Sequence, residues 1–332
     1  MFIIENYQLA VFLCVITMLC WGSWANTQKL ASKKWGFPLF YWDYTLGVIL
    51  LSLVFGLTLG SNGNSGQAFL PNLGDASLNA IFYALLGGII FNIANLLLVA
   101  AIDIAGMAIA FPVGIGIALV LGVLVNYIAA PVGDPMLLFA GVGLVALAIV
   151  VDALAYKKIS SGAATTKGIM ISLAAGVLMG FFYRFVAASM SEDFSNPTTG
   201  LLTPYTAVFV FSIGIFISNF LFNTFFMYRP LNGEKVTYKD YFKVGTPKLH
   251  IIGILGGVIW CIGFLLNMIA AGEAGFAISY GLGQGATMVA AIWGIFIWKE
   301  FKNAPKGTNT LIGLMFLLFI VGLSLIIMAK NV

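Results

Sequence analysis

Charge is what this chain lacks. Only 8% of its 332 residues are Asp, Glu, Lys or Arg, against about 25% in ordinary soluble chains. That shortage excludes a soluble globular domain of useful size, and no nucleic-acid partner is expected. Histidine is nearly absent too. His250 stands alone, with no H-E-x-x-H or equivalent pairing, so a metal-dependent or nucleophile–base enzyme is not expected. The three cysteines, Cys14, Cys20 and Cys261, all lie inside apolar stretches. They form neither a disulfide framework nor a metal-ligand spacing, and read as small buried hydrophobes. No metal and no cofactor is expected. The first apolar run follows Glu5 with no basic segment before it, which reads as a retained helix and not a cleaved signal.

What is present is apolar length. Hydrophobic residues make up 61% of the chain, and the mean hydropathy is +1.03. Stretches of about 20 apolar residues recur from end to end, each enough to cross about 30 Å of hydrocarbon. Ten helices are expected, over roughly 8–30, 37–60, 76–101, 105–129, 136–157, 168–190, 204–228, 248–271, 274–299 and 308–329. The longest polar interruptions fall at 61–75, 191–203 and 229–248.

The chain also repeats itself. Residues 87–128 align without gaps on 256–297, and 15 of the 42 positions are identical. The coincidences include Gly87, Gly88, Gly114 and Gly116, and the Ala105-Gly106 corner that recurs as Ala274-Gly275. With five spans per copy the copies point in opposite senses, the architecture of an alternating-access transporter. The fold class expected is therefore an all-α integral membrane protein of ten transmembrane helices in two inverted five-helix repeats. The first repeat covers 1–157, a short connection 158–167, and the second repeat 168–332. Small-xxx-small spacings such as Gly253–Gly257 and Gly281–Gly285 suit helices packed closely in lipid. A channel is disfavoured, because ion filters repeat charged rings or carbonyl loops by rotation, not inversion.

Placement of the basic residues predicts orientation. Fourteen of the 16 Lys and Arg lie at the 1–2, 5–6, 7–8 and 9–10 junctions; only Lys330 lies on the other side, and Arg184 sits within a helix. Positive charge stays cytoplasmic, so both termini are expected outside.

At this point the residues carry a likeness. Cys20-Trp21-Gly22-Ser23-Trp24-Ala25-Asn26-Thr27, followed by Tyr41-Trp42-Asp43-Tyr44-Thr45-Leu46-Gly47, resembles the first two helices of the ureide permease family, within the drug/metabolite transporter superfamily. It is also similar to the sister glucose/ribose and rhamnose uptake families. The likeness covers the whole chain. The plant members carry a long loop between helices five and six with a Walker A-like sequence. Here that loop is short; Gly162 stands five residues before Lys167, but no G-x-x-x-x-G-K-[ST] is present, so nucleotide binding does not carry over. The resemblance implies a multi-pass permease of the bacterial cytoplasmic (inner) membrane. It implies uptake of a small-molecule substrate with a proton. That substrate is a ureide or nucleobase of the allantoin, uracil or xanthine class, or alternatively a monosaccharide. It further implies a cavity among helices one to four and six to nine, with helices five and ten available for a homodimer. A drug exporter of the superfamily would want an embedded Glu in helix one, and none is there.

Polar groups in hydrocarbon are costly, so each invites a reason. Trp21 and Trp24, three apart on one helical face, could stack on a flat ring, or belong to an interfacial belt. Asn26 and Gln284 could supply donors and acceptors to a neutral solute. Asn92, Asn95, Asn219, Asn223 and Asn267 are either ligands or packing glue. Tyr280, Gly283 and Gln284 align with Phe111, Gly114 and Ile115, so the copies differ where a binding site would make them differ. Pro112 aligns with Gly281, and either could weaken its helix and free carbonyls. Asp43 is the candidate proton site, or else an interfacial carboxylate paired with a lysine such as Lys34. Arg184 could pair with a carboxylate, bind a carbonyl-rich solute, or snorkel. Asp103 and Glu273 sit at the two hairpin corners. Trp298-Lys299-Glu300 reads as a membrane-end anchor, and His250 as interfacial and not a catalytic base.

Overall fold

A computed structural model describes residues 1–31, 35–105, 107–159, 165–231 and 234–330. Lys34, Gly106 and Gly162, invoked above, lie outside the described residues, as do the side chains of Asp103 and Phe111. Ten helices are long and apolar enough to cross a membrane. In chain order the helices are α1 (Tyr7–Ser23), α2 (Ala25–Ala31), α3 (Phe37–Leu57), α4 (Phe69–Asp75), α5 (Leu78–Ala105), α6 (Met107–Ala129) and α7 (Pro135–Lys157). After these come α8 (Thr166–Ser189), α9 (Pro204–Tyr228), α10 (Tyr238–Val244), α11 (Pro247–Ala274), α12 (Phe276–Gly283), α13 (Ala286–Ile292) and α14 (Thr308–Met328). A π turn over Trp293–Ile297 extends α13. No named strand occurs among the described residues; the one β contact is an isolated bridge between Met190 and Leu202.

Two short helices, α4 and α10, occupy segments that the sequence presents as polar interruptions. In α10 local chemistry explains the turn: Thr237 caps Asp240 and Asp240 reaches back to Thr237, a reciprocal capping box. The same Thr237 hydrogen bonds hold the exposed Asp240 carboxyl below the ordinary carboxylate range.

Two of the ten spans are broken. The first span, Tyr7–Ala31, breaks at Trp24 between α1 and α2. The cause is side-chain competition for backbone carbonyls: Asn26 Nδ2 donates to the Ser23 carbonyl at 2.9 Å, and Thr27 Oγ1 to that of Trp24 at 2.7 Å. The ninth span, Phe276–Ile297, breaks at Gln284-Gly285. There Thr287 Oγ1 donates to the Gln284 carbonyl at 2.9 Å, among glycines that stiffen nothing. The expected weak points, Pro112 and Gly281, are both inside continuous helix; the break falls further along, in the second copy alone.

Helix packing is consistent with the internal repeat of the sequence. Most span pairs that pack have a counterpart when every span is exchanged for the one five places away; α9 on α11 is an exception. Span three packs on six as eight packs on one; four on six as nine on one; two on eight as seven on three; four on five as nine on ten. The close approaches follow the same exchange. A Cβ at Gly88 would run into the Phe211 carbonyl, and one at Gly257 into that of Tyr44. Gly47 abuts the Ile254 carbonyl and Gly214 that of Leu85. Between α3 and α9, Ser52 and Ser212 share a 2.8 Å hydrogen bond, and its counterpart is Asn219 Nδ2 to Thr45 Oγ1 at 3.4 Å.

The loops sort into two faces. On one, Phe2 N–H donates to the Leu59 carbonyl, Asn72 Nδ2 to Leu201, and Asp134 N–H to Ala329. On the other, Lys29 meets Glu300 at 2.5 Å, Lys158 reaches the Lys306 carbonyl at 3.5 Å, and Lys167 that of Leu231 at 3.3 Å. The four lysine-rich junctions thus share a face, opposite the termini.

Candidate functional site

Where the two breaks face each other, a chamber of about 200 Å³ lies in the bundle. Indole and phenyl rings form its walls. Trp21 stacks on Trp260 of α11, with centroids 6.0 Å apart and planes 12° from parallel; Trp24 lies 5.0 Å from Tyr44. Phe91 and Phe182 complete the apolar side. The polar lining is sparse and uncharged: Gln28, Asn95, Gln284 and Thr287. Gln284 is buried to 9% exposure, and no described residue hydrogen-bonds its side-chain amide. Trp21 Nε1 is a buried donor without a partner, packed against Gly263 of α11 and away from the chamber. Asn95 donates to Tyr41 Oη at 3.3 Å. Unmet donors and acceptors between flat apolar walls are what a small, neutral, hydrogen-bonding ring would satisfy. The volume is below the ~300–1,000 Å³ of drug-sized sites.

The chamber continues into a vestibule of about 310 Å³, sharing Gly22, Gln28, Val99 and Thr287 with it. The vestibule reaches the lysine-rich face beside Lys29 and Glu300. One side of it is a ladder between the first and ninth spans. Trp293 Nε1 donates to Ser23 Oγ at 2.9 Å, Trp298 Nε1 to Asn26 Oδ1 at 2.6 Å, and Lys29 pairs with Glu300. Ser23, Asn26 and Lys29 are three apart, one face of a helix. Tyr156 Oη also donates to Glu300, at 2.9 Å, and Lys29 Nζ stands 4.3 Å over the Trp298 ring. Lys299, between these partners, has φ of 54°, the one non-glycine among the described residues in the left-handed region. Trp298-Lys299-Glu300 is therefore not a simple membrane-end anchor: the π turn swings it inward onto α2.

Towards the termini the bundle is shut. Tyr183 Oη donates to Asn267 Oδ1 at 2.7 Å, Asn267 Nδ2 to the Ser279 carbonyl at 2.8 Å, and Ser279 Oγ lies 2.9 Å from Tyr183 Oη. Tyr280 Oη donates to the carbonyls of Ala118 and Met179. All four side chains are fully buried.

The match to known proteins decides what this cavity belongs to. The ureide permease family profile covers residues 40–167 and 157–330, the two pieces overlapping in the short loop between α7 and α8. The chain belongs to the ureide permease family. Ureide permease 1 of Arabidopsis thaliana is 23% identical over 390 aligned positions, covering 100% of this chain and 99% of that one. Ureide permease 4 of the same plant is 22% identical, again over the full chain. A putative sugar uptake protein, YxfA of Lactococcus lactis, is 23% identical over 97% of this chain and 98% of its own. A solved crystal structure superposes with a TM-score of 0.58 over 98% of both chains at 14% identity, a likeness of fold. The protein is a multi-pass membrane transporter of ureide permease type, not an enzyme.

Of the residues singled out by sequence, the permease brings Trp21, Trp24, Asn95 and Gln284 together around the chamber. Asn26 lines the vestibule, with its amide taken by Trp298 and Ser23. The others serve packing. Asn92 donates to Ser218 Oγ at 2.8 Å, Asn223 to the Pro38 carbonyl at 2.8 Å, and Asn219 to Thr45; Asn267 and Tyr280 belong to the closed end. Arg184 is half-buried in α8 with Glu192 as its acidic neighbour.

Asp43 lies off the cavity. Its carboxylate accepts from Tyr241 Oη at 2.5 Å and Trp35 Nε1 at 3.1 Å, and meets His250 Nδ1 at 2.9 Å. Tyr241 belongs to α10, outside the spans, where burial raises its hydroxyl above the ordinary phenol range and keeps it a donor. The permease thus uses Asp43 and His250 to clamp α10 and α11 against α3. Sequence reasoning passed over Gln28, Asp152, Tyr156 and Trp260. Asp152 had a signal, a carboxylate five residues inside an apolar run.

Proposed function

We propose that the permease imports a small neutral ureide or nucleobase, of the allantoin, uracil or xanthine class, together with a proton. The carrying observation is the chamber between Trp21, Trp24 and Trp260. It has flat walls, no charged lining among the described residues, and an unmet amide on Gln284. Import proceeds by alternating access between two five-helix repeats, 1–157 and 168–332, joined through 158–167. The exchangeable packing of the spans supports this reading. The lysine-rich face is cytoplasmic, both termini are outside, and the membrane is a bacterial cytoplasmic one. The structure is then closed outward and lined for release inward.

Monosaccharide uptake is the second reading. It draws on the stacked Trp21–Trp260 pair, since an indole face also suits the C–H face of a sugar ring. A thermal-shift panel of allantoin, uracil, xanthine, glucose, ribose and rhamnose separates the two. A melting shift with the planar amides alone is the expected result; a shift confined to the sugars would overturn the first reading. A second copy would dock at the periphery, on α7 and α14, whose outer faces expose Leu147, Leu154, Leu317 and Ile320. Light scattering in detergent is expected to return a dimer mass, and a monomer mass would remove that contact.

A further inference from the structure

Asp152 lies in α7, one turn before Tyr156. That places it between the chamber and the Lys29–Glu300 pair at the inner mouth. It is 9% exposed and lines the vestibule, and no described residue hydrogen-bonds or ion-pairs with its carboxyl. A carboxylate buried inside a membrane span without a partner is costly as a charge and cheap as a neutral acid.

The groups facing it are few. Tyr156 comes from its own helix, Glu300 from the segment after the π turn, and Lys29 from α2. Of the two helices packed along α7, α14 carries no titratable side chain, and α6 only Tyr127, bonded to the Gly133 carbonyl at the far end. Among the described residues that line it, the mouth therefore holds two carboxylates, Asp152 and Glu300, and one ammonium, Lys29. Lys29 already neutralises Glu300. With Asp152 ionised the cluster carries one unmatched negative charge and must stay wet. With Asp152 protonated it is neutral and can be enclosed.

We propose, on the proton-coupled reading above, that Asp152 carries the coupling proton. Its carboxylate takes a proton from outer water through the central chamber, one O–H bond forming. That bond breaks when the vestibule opens, and the proton leaves to the cytoplasm past Lys29 and Glu300. Asp43, by contrast, is off this path and has three donors around its carboxylate.

The test uses the full chain in proteoliposomes with radiolabelled allantoin, with uracil and glucose run in parallel. Two assays are compared: counterflow, which needs no driving force, and accumulation under an imposed inward proton gradient. Asp152→Asn is expected to keep counterflow within about twofold, lose its pH dependence, and lose accumulation. Asp152→Glu is expected to restore accumulation. The proposal is overturned by an Asp152→Asn protein that still accumulates solute. It is equally overturned by one dead in both assays that Asp152→Glu does not rescue, the mark of a structural residue. Both results leave the proton-coupled reading standing. A wild-type protein that exchanges but ignores the gradient removes that reading, and the role of Asp152 with it.

Discussion

Replacing Trp21 by alanine is expected to weaken apparent substrate affinity in counterflow by about fivefold to a hundredfold. The indole gives a ligand a flat face already held parallel to Trp260, while its Nε1 edge is buried against Gly263 of α11. Stacking of a flat ring on an aromatic side chain contributes ~1–3 kcal/mol, which at 1.4 kcal/mol per decade gives that range. Trp21→Phe keeps a flat face of smaller area. Its affinity should fall between wild type and alanine, with the folded yield unchanged. Gln284→Ala should lose affinity without loss of yield, since its amide supports nothing in the empty chamber. Wild-type affinity in the Trp21→Ala protein would remove the chamber as the binding site.

The second large effect is on folding. Gly257→Leu and Gly88→Leu are each expected to abolish monodisperse folded protein. At both positions the helix axis approaches a neighbour so closely that a Cβ would overlap a backbone carbonyl, that of Tyr44 or Phe211. A carbonyl inside a hydrogen-bonded helix cannot rotate away, so the helices must separate. Overpacking typically costs ~1–3 kcal/mol, and more where the obstacle is fixed backbone, and small residues are what let membrane helices approach at all. Gly116→Ala and Gly143→Ala are the controls, because a Cβ at either position meets nothing within 4 Å. Size-exclusion profiles after solubilisation read the difference. Normal yield of Gly257→Leu would mean that α3 and α11 are not packed as described.

Much of this architecture was legible in the residues, and the reasons are physical. Span positions follow from apolar length. The sidedness of the junctions follows from where lysines sit, and contacts such as Lys158 with the Lys306 carbonyl agree. The repeat was visible because Gly88 and Gly257 each approach a neighbouring backbone carbonyl so closely that a Cβ would overlap it. Half of the polar candidates, however, turned out to hold helices together. An Asn inside hydrocarbon needs a partner whether that partner is a ligand or the Pro38 carbonyl, and spacing along one helix does not distinguish them. The break at Trp24 was hidden because neither proline nor a glycine pair marks it; it arises from Asn26 and Thr27 reaching back three residues. Asp43 looked like a lone embedded acid because its partners, Trp35, Tyr241 and His250, are far apart in sequence and meet only in the folded bundle.

The two interruptions, at Trp24 and at Gln284-Gly285, fall in the first and ninth spans. Their counterparts by the repeat, α8 and α6, run through unbroken. A carrier assembled from two like halves could swing open equally well to either side. This one is jointed on one side only, so its two gates differ in stiffness: the gate at the lysine-rich face bends within helices, whereas the gate towards the termini must part between rigid rods. On the import reading proposed above, solute release should then be the swift leg of the cycle, and the return to the outward-facing form the slow one.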